Sequence, residues 1–167
     1  MLATGLADQF GESPTDLSAR SDMLAAALDA RVVGGREEAL RAAAETLIDV
    51  LAEKRLLATT PTGLRLVAGT ANLLVQAFGS EGRTKAEALL TPLTSEPEKL
   101  LDVDAAAAVE VLLGDMNLAI RSDDPERALA LADVAEGPCS QLPNEELLAR
   151  WTLLKSEALA KADREVP

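Results

Sequence analysis

The chain has 167 residues, of which 48% are hydrophobic but only 2% aromatic, and its formal charge is −12. A chain of this length can bury one continuous core without disulfides or metals. Its acidic balance argues against nucleic acid as a partner, because phosphate binding needs clustered Lys and Arg. The apolar residues are mostly Ala, Leu and Val, which favours packed helices over sheets, so we expect an all-α protein.

The residue types that carry most enzyme chemistry are scarce. The chain has no His, which excludes a Ser-His-Asp triad, a Cys-His nucleophile and the common zinc sites. Cys139 is the single cysteine, and the Gly-Pro-Cys-Ser sequence around it predicts a loop. Asp102-Val-Asp104 begins like a calcium loop, but Ala107 stands where that loop needs Gly. We therefore expect no enzyme activity, no metal and no cofactor.

Nothing in the sequence predicts membrane insertion. No apolar run approaches the roughly 18 residues of a membrane span, and the first residues lack the regions of a signal peptide. A cytoplasmic protein is the expectation, although a signal peptide removed from a longer precursor would leave no trace here. Residues 1–12 are predicted to be irregular, and residues 13–164 to form one helical domain.

Helix start signals recur along the chain. A capping side chain is followed by Pro or Glu at Ser13-Pro14, Thr60-Pro61, Asp124-Pro125 and Asn144-Glu145, and Asp102 or Asp104 can cap a further helix. The predicted helices span residues 14–33, 37–57, 61–78, 83–91, 105–121, 125–136 and 145–164. Residues 79–82 are predicted to form a turn, and Pro92 and Gly137-Pro138 to end the helices before them. A short helical turn is predicted after Ser95-Glu96-Pro97.

A five-residue pattern occurs twice. Gly-x-x-Asn-Leu stands at residues 69–73 and again 45 residues later at 114–118. The second predicted helices also begin alike, at 35–39, 82–86 and 124–128. We expect three helical hairpins and a terminal helix, stacked as an αα solenoid, with Leu159 in the position equivalent to Leu118. Gly69 and Gly114 are predicted to be sites of close helix approach.

The unit over residues 105–136 resembles the tetratricopeptide (TPR) repeat family. Leu113-Gly114 is similar to that family's Leu-Gly pair, and Ala128, Ala132 and Ala135 are similar to its small residues in the second helix. The units here are longer than the family's roughly 34 residues, and its aromatic positions are empty. The resemblance implies a TPR-like superhelix with a concave, partner-binding groove. A HEAT-like or other αα array is the alternative.

Six polar residues of the predicted first helices are candidates for that groove: Arg65, Asn72, Gln76, Asp115, Asn117 and Arg121. The first three share one helix face, because they are spaced by seven and four residues. The last three offer comparable groups in the next unit, but Asn117 is not expected on the same stripe as Asp115 and Arg121. A buried unpaired amide costs about 1–3 kcal/mol, so each Asn needs a partner. That partner is either a neighbouring helix, which would fix the stacking, or the backbone of a bound protein.

These observations lead to one expected function and two alternatives. We expect a non-enzymatic protein–protein interaction module, such as an adaptor, chaperone or assembly factor, whose acidic rims attract a basic segment. The first alternative is a structural or homo-oligomerising domain of a larger protein. The second, an enzyme or small-ligand receptor, would need a deep pocket between hairpins. Trp151 is predicted to pack the last helix onto the array, with an exposed protein contact as its alternative role.

Overall fold

The computed structural model describes residues 60–165, apart from the side chains of residues 73, 76, 77, 164 and 165. This part of the chain is all-α, as predicted, and contains no strand. Its helices are α1 (Pro61–Thr94), α2 (Pro97–Val103), α3 (Ala105–Arg121), α4 (Pro125–Gln141) and α5 (Glu145–Glu165). None of these helices is long and apolar enough to cross a membrane. The predicted irregular segment 1–12 and the predicted helices 14–33 and 37–57 lie outside the described residues.

The predicted helix starts are confirmed by their caps. Each capping oxygen accepts a hydrogen bond from a backbone N–H of the first turn, which satisfies donors that have no partner inside the helix. The bonds run from Gly63 to Thr60 (3.1 Å), from Ala107 to Asp104 (2.7 Å), from Arg127 to Asp124 (3.0 Å) and from Glu146 and Leu147 to Asn144 (3.1 Å each). Of the two candidates before α3, Asp104 is therefore the cap.

Helix α1 contains a chain reversal at the predicted turn. Gly79 has φ 54° and ψ −124°, a conformation outside the helical region that glycine adopts without a Cβ clash. A Cβ atom built on Gly82 would lie 1.9 Å from the carbonyl oxygen of Leu74, whereas in a straight helix those residues are about 12 Å apart. The segments 61–78 and 80–94, here called the first and second arms of α1, therefore fold back on each other.

The predicted helix end at Pro92 is wrong. Helix α1 extends to Thr94 and includes Pro92 within its last turn. Proline removes one backbone donor and one hydrogen bond, but its fixed φ suits a helix. The hydroxyl of Thr94 lies 3.2 Å from the carbonyl oxygen of Leu90 and 2.6 Å from Asp115, so this last turn is held by side-chain contacts.

The predicted helix end at Gly137-Pro138 is also wrong. Helix α4 continues past Pro138 to Gln141, and Cys139 lies inside it rather than in the predicted loop. Cys139 is only 1% exposed and belongs to the core, so burial of this turn outweighs the hydrogen bond that Pro138 removes.

The core consists of two clusters that share α3. The first packs both arms of α1 and α2 against α3 through Leu64, Val67, Leu74, Leu90, Leu100, Val111 and Leu118. The second packs α3 against α4 and α5 through Leu112, Leu113, Met116, Ile120, Ala128, Ala132, Ala135, Leu147 and Leu154. Ala128, Ala132 and Ala135 are fully buried, as expected of small residues at a helix crossing. Helix α3 is therefore the central element of the described part.

Neighbouring helices contact each other at about the repeat interval. Side-chain contacts join Arg65 to Glu110, Glu87 to Arg127, and Lys161 to the carbonyl oxygen of Ile120, pairs that are 45, 40 and 41 residues apart. The first pair joins the first arm of α1 to α3, the second joins its second arm to α4, and the third joins α3 to α5. First helices thus contact first helices, and second helices contact second helices.

Trp151 packs α5 onto its neighbours, as predicted. Its Nε1 donates a hydrogen bond of 2.9 Å to the carbonyl oxygen of Ala132 on α4. The ring is half-buried against the second core cluster, and the Nζ of Lys155 lies 4.9 Å from its centroid. The aromatic body and its polar N–H therefore both have partners inside the protein.

The roles predicted for Gly69, Gly114 and Leu159 are wrong. A Cβ atom on Gly69 would meet no described atom within 4 Å, and one on Gly114 would meet only Leu90 Cδ1 at 3.9 Å, so neither residue marks a close helix approach. Leu118 is 1% exposed but Leu159 is 47% exposed, so they are not equivalent. Helix α5 turns a different face, which includes Leu154, towards the core.

Candidate functional site

The Gly and Asn residues of the repeated motif lie on a solvent-facing surface. Arg65, Gly69 and Asn72 of the first arm, and Glu110, Gly114, Asn117 and Arg121 of α3, are all exposed or half-buried. We call these seven residues the open face. Glu110, Gly114 and Asn117 stand 45 residues after Arg65, Gly69 and Asn72, so the two helices present matching stripes. The glycines are therefore surface positions where the helix backbone has no side chain in front of it.

An ion pair joins the two stripes. The Nε of Arg65 donates a hydrogen bond of 3.2 Å to Glu110 Oε1, and one of its terminal nitrogens lies 3.6 Å from Asp104. The Arg65 side chain is about half exposed, and such pairs contribute little stability because solvent screens them. The ion pairs connect the two stripes at the surface, while the first core cluster holds the first arm and α3 together.

The two asparagines use few of their hydrogen-bonding groups within the described part of the chain. Asn117 accepts a bond of 3.4 Å from Arg121 Nε on its own helix, which is long for a hydrogen bond. Asn72 is half-buried, and its amide has no hydrogen-bond partner among the described residues. Neither residue therefore makes the predicted inter-helix hydrogen bond in this part of the chain. Gln76 lies on the first arm of α1, 45 residues before Arg121, so it corresponds to Arg121 in the repeat. The structure describes only its backbone.

Asp115 does not belong to the open face, although the sequence suggested it. Its side chain is 0% exposed, and its two oxygens accept bonds of 2.6 Å from Thr94 and from Arg127. A position two residues from Asn117 is about 200° away around the helix, which directs Asp115 towards the second arm and α4. We therefore assign it a structural role, and it cannot contact a partner from this position.

Arg127 links the second helices through this buried carboxylate. Besides Asp115, it donates to Glu87 at 2.5 Å and to Thr91 at 3.1 Å, both on the second arm of α1. Burial is the largest single influence on the pKa of Arg127 and lowers it, but the hydrogen bonds and charges of Asp115 and Glu87 together raise the pKa above its ordinary value. Sequence reasoning missed this cluster, because its members come from three separate segments.

The C-terminal end of α3 is held by cations from both sides. Arg83 donates to the carbonyl oxygen of Arg121 at 2.6 Å, and Lys161 donates to that of Ile120 at 2.7 Å. The last carbonyls of a helix lack the partner four residues ahead, and the negative end of the helix dipole favours cations. The carbonyl oxygen of Ile120 also accepts a bond of 3.3 Å from the backbone N–H of Asp123. Lys161 also contacts Asp123, whose pKa is lowered mainly by that hydrogen bond and then by the charge of Lys161.

The described residues offer little for catalysis or metal binding. No group of three or more His, Cys, Asp or Glu side chains in residues 60–165 is arranged to hold a metal ion. Burial raises the pKa of the Cys139 thiol, which keeps it in the less reactive protonated form. The open face instead offers amide groups, an ion pair and exposed glycine backbone, which suit hydrogen bonding to another chain.

Comparison with known proteins identifies no relative: no protein-family model, no curated protein and no solved structure matches the chain significantly.

Proposed function

We propose that this protein is a non-enzymatic protein–protein interaction module, an adaptor, chaperone or assembly factor, built as a TPR-like array of helical hairpins. In this proposal the open face holds an extended segment of another protein. The observation that carries it is the pair Asn72 and Asn117, which stand 45 residues apart on an accessible surface and have hydrogen-bonding groups without a partner among residues 60–165.

The contacts at the repeat interval support an array. When similar hairpins stack side by side, a residue of one unit comes next to its counterpart in the following unit. Arg65 and Glu110 are such counterparts, and they form an ion pair. Glu87 and Arg127 connect the second helices in the same way at 40 residues. Two layers, one of first helices and one of second helices, account for both contacts.

The spacing of the open face suits an extended chain. Packed helices have axes about 8–10 Å apart, and an extended chain advances about 3.3 Å per residue. Two asparagines on neighbouring helices can therefore meet peptide groups about three residues apart. An Asn amide carries both a donor and an acceptor, which match the carbonyl and N–H of a peptide group. At Gly69 and Gly114 no side chain holds the segment away from the helices.

The charge of the protein favours a basic segment. The open face itself is nearly balanced, with Arg65, Arg121 and Glu110, whereas the whole chain carries −12. Such a field accelerates the approach of a cationic partner and weakens with salt. The amides then set the register of the segment, and the field sets the preference for its charge.

The test uses peptides selected from a random display library on the full chain. Asn72→Ala and Asn117→Ala should each weaken the affinity of a selected peptide by about fivefold, the effect of one lost hydrogen bond of about 1 kcal/mol. Gln141→Ala is the matched control, because it removes an exposed amide at the end of α4, away from the open face. Arg65→Ala should also weaken binding, since it removes the guanidinium donors that Arg65 presents on the open face.

The result is interpretable only if the fold is intact, so helicity and melting temperature are measured for every variant. All of them should stay close to the wild-type values. Selected peptides whose affinity is indifferent to both Asn substitutions would show that binding uses another surface. Failure to select any peptide would refute the proposed function. If Asn72→Ala unfolds the protein, its role is structural and Asn117→Ala alone decides.

A further inference from the structure

Helix α5 carries exposed apolar side chains on two sides, because Leu153 lies about 120–140° around the helix from Leu148 and Leu159. We call the side that bears Leu153 the outer face. Leu153 is 67% exposed, Leu159 47% and Leu148 40%, and together with Val134 they are the exposed large hydrophobic residues of the described part. The opposite side of α5 is buried, as Leu154 shows. No described element covers the outer face.

The outer face has the spacing of a coiled-coil seam. Ala149, Leu153, Ser156 and Ala160 follow one another at intervals of four, three and four residues, and all four are exposed. This alternation keeps the residues on one stripe of a helix that packs along a second helix. Only Leu153 is bulky, so a second helix can approach closely on either side of it.

Two oppositely charged residues beside this seam can pair with the same two residues of a second copy. Arg150 and Glu157 flank the seam on the same side, seven residues or about 10 Å apart. Neither forms an ion pair within the described residues. If a second α5 runs antiparallel, a two-fold axis beside Leu153 brings Arg150 level with Glu157 of the partner subunit, and symmetry repeats the pair. In a parallel copy the two-fold axis would run along the helices, so Arg150 and Glu157 would lie on the opposite flank of the seam from their counterparts and would not pair with them.

From this pattern we infer that two copies of the protein associate through antiparallel packing of the outer faces of α5. Any partner would gain from covering Leu153, but a second copy also satisfies both charges with no further sequence requirement. One helix pair is a small interface by the standard of permanent dimers, so the association is reversible. This inference is independent of the proposed function, because the open face lies on α1 and α3.

The experiment measures the dimer dissociation constant of the full chain by sedimentation equilibrium. Arg150→Glu and Glu157→Arg should each weaken the dimer roughly tenfold or more, because both symmetric pairs change from attraction to repulsion. Leu153→Asp should weaken it further by burying an unpaired charge in the seam. Lys99→Glu is the control with the same change of charge, at an exposed residue of α2, and should leave the constant unchanged.

Rescue provides the decisive result. The double variant with Arg150→Glu and Glu157→Arg should dimerise as the wild type does. An equimolar mixture of the two single variants should form heterodimers, because all their cross-pairs are opposite in charge. Circular dichroism confirms that each variant is folded. A wild type that stays monomeric at every concentration overturns the inference, as does a dimer insensitive to these changes. Weakened single variants without rescue overturn the antiparallel arrangement.

Discussion

Removal of the Arg127 guanidinium tests the buried cluster most directly. In Arg127→Met the aliphatic stem is kept, but Asp115 loses the cation that lies 2.6 Å from its carboxylate. The Asp115 side chain is 0% exposed, and its other partner in the described part is the hydroxyl of Thr94. Removing one member of a buried pair typically destabilises a protein by 3–5 kcal/mol. Because Arg127 is 26% exposed, we expect the low end, about 3 kcal/mol.

A second substitution, Asp115→Asn, should have opposite effects on stability in the wild type and in the Arg127→Met variant. In the wild type, Asp115→Asn should destabilise the protein, because it removes a charge-assisted bond to Arg127. In the Arg127→Met background the same change should stabilise it by about 1–2 kcal/mol, since a neutral amide is less costly to bury than an unpaired carboxylate. The difference between the two backgrounds is the coupling energy of the pair.

The free energy of unfolding is measured by urea titration followed by far-ultraviolet circular dichroism. Lys99→Met is the control, because Lys99 forms an exposed ion pair with Glu96 on the surface, and it should change stability by no more than about 0.5 kcal/mol. The reasoning is refuted if Arg127→Met costs less than about 1 kcal/mol. It is also refuted if Asp115→Asn destabilises both backgrounds equally, since the pair would then have no coupling.

Three further predictions concern single positions. Gly82→Ala should destabilise the protein by about 3 kcal/mol or more, because its Cβ would lie 1.9 Å from the backbone of the facing arm. Gly69→Ala should instead raise the melting temperature, through a gain of about 0.5–1 kcal/mol in helix propensity, and equal effects of the two changes would contradict the hairpin. Cys139 should react with a thiol reagent only at the rate of unfolding, because it is buried and its pKa is raised; fast labelling of the native state would disprove this. The pKa of Asp123, measured by NMR titration, should rise in Lys161→Met. In the wild type the contact with Lys161 stabilises the fold above the unfolded-state pKa of Asp123, and this stabilisation is lost as the pH falls through the lowered folded-state pKa. An unchanged pKa in the variant would exclude the contact.

The reliable predictions depended on local interactions. Thr60, Asp124 and Asn144 were recognisable as caps, and Asp104 as one of two candidates, because a cap bonds to an N–H two or three residues ahead in the same chain. The chain reversal was predictable for a similar reason, since Gly79 supplies a backbone conformation that other residues adopt with strain, but the predicted turn was too long because residues 80–82 are helical.

The open face was only partly predictable. Arg65 and Asn72 were found from their helical spacing, and the structure places them on accessible surface. Asn117 was predicted to lie off the stripe of Asp115 and Arg121, but the structure places Asn117 with Arg121 on accessible surface. Asp115 was grouped with them because it is polar, but its position around α3 directs it inwards. Its partner Arg127 is 12 residues away, on another helix, and nothing local indicates that the two meet.

The sequence by itself determined the helical class, the places where helices begin and the repeat interval, because capping and helical periodicity act within a few residues. Tertiary structure decided the rest. It determined that α4 continues past Pro138, because burial of Cys139 outweighs one missing hydrogen bond. It also determined that Gly82 rather than Gly69 is the site of close approach. Both outcomes depend on which atoms of distant segments face the residue, and no local pattern contains that information.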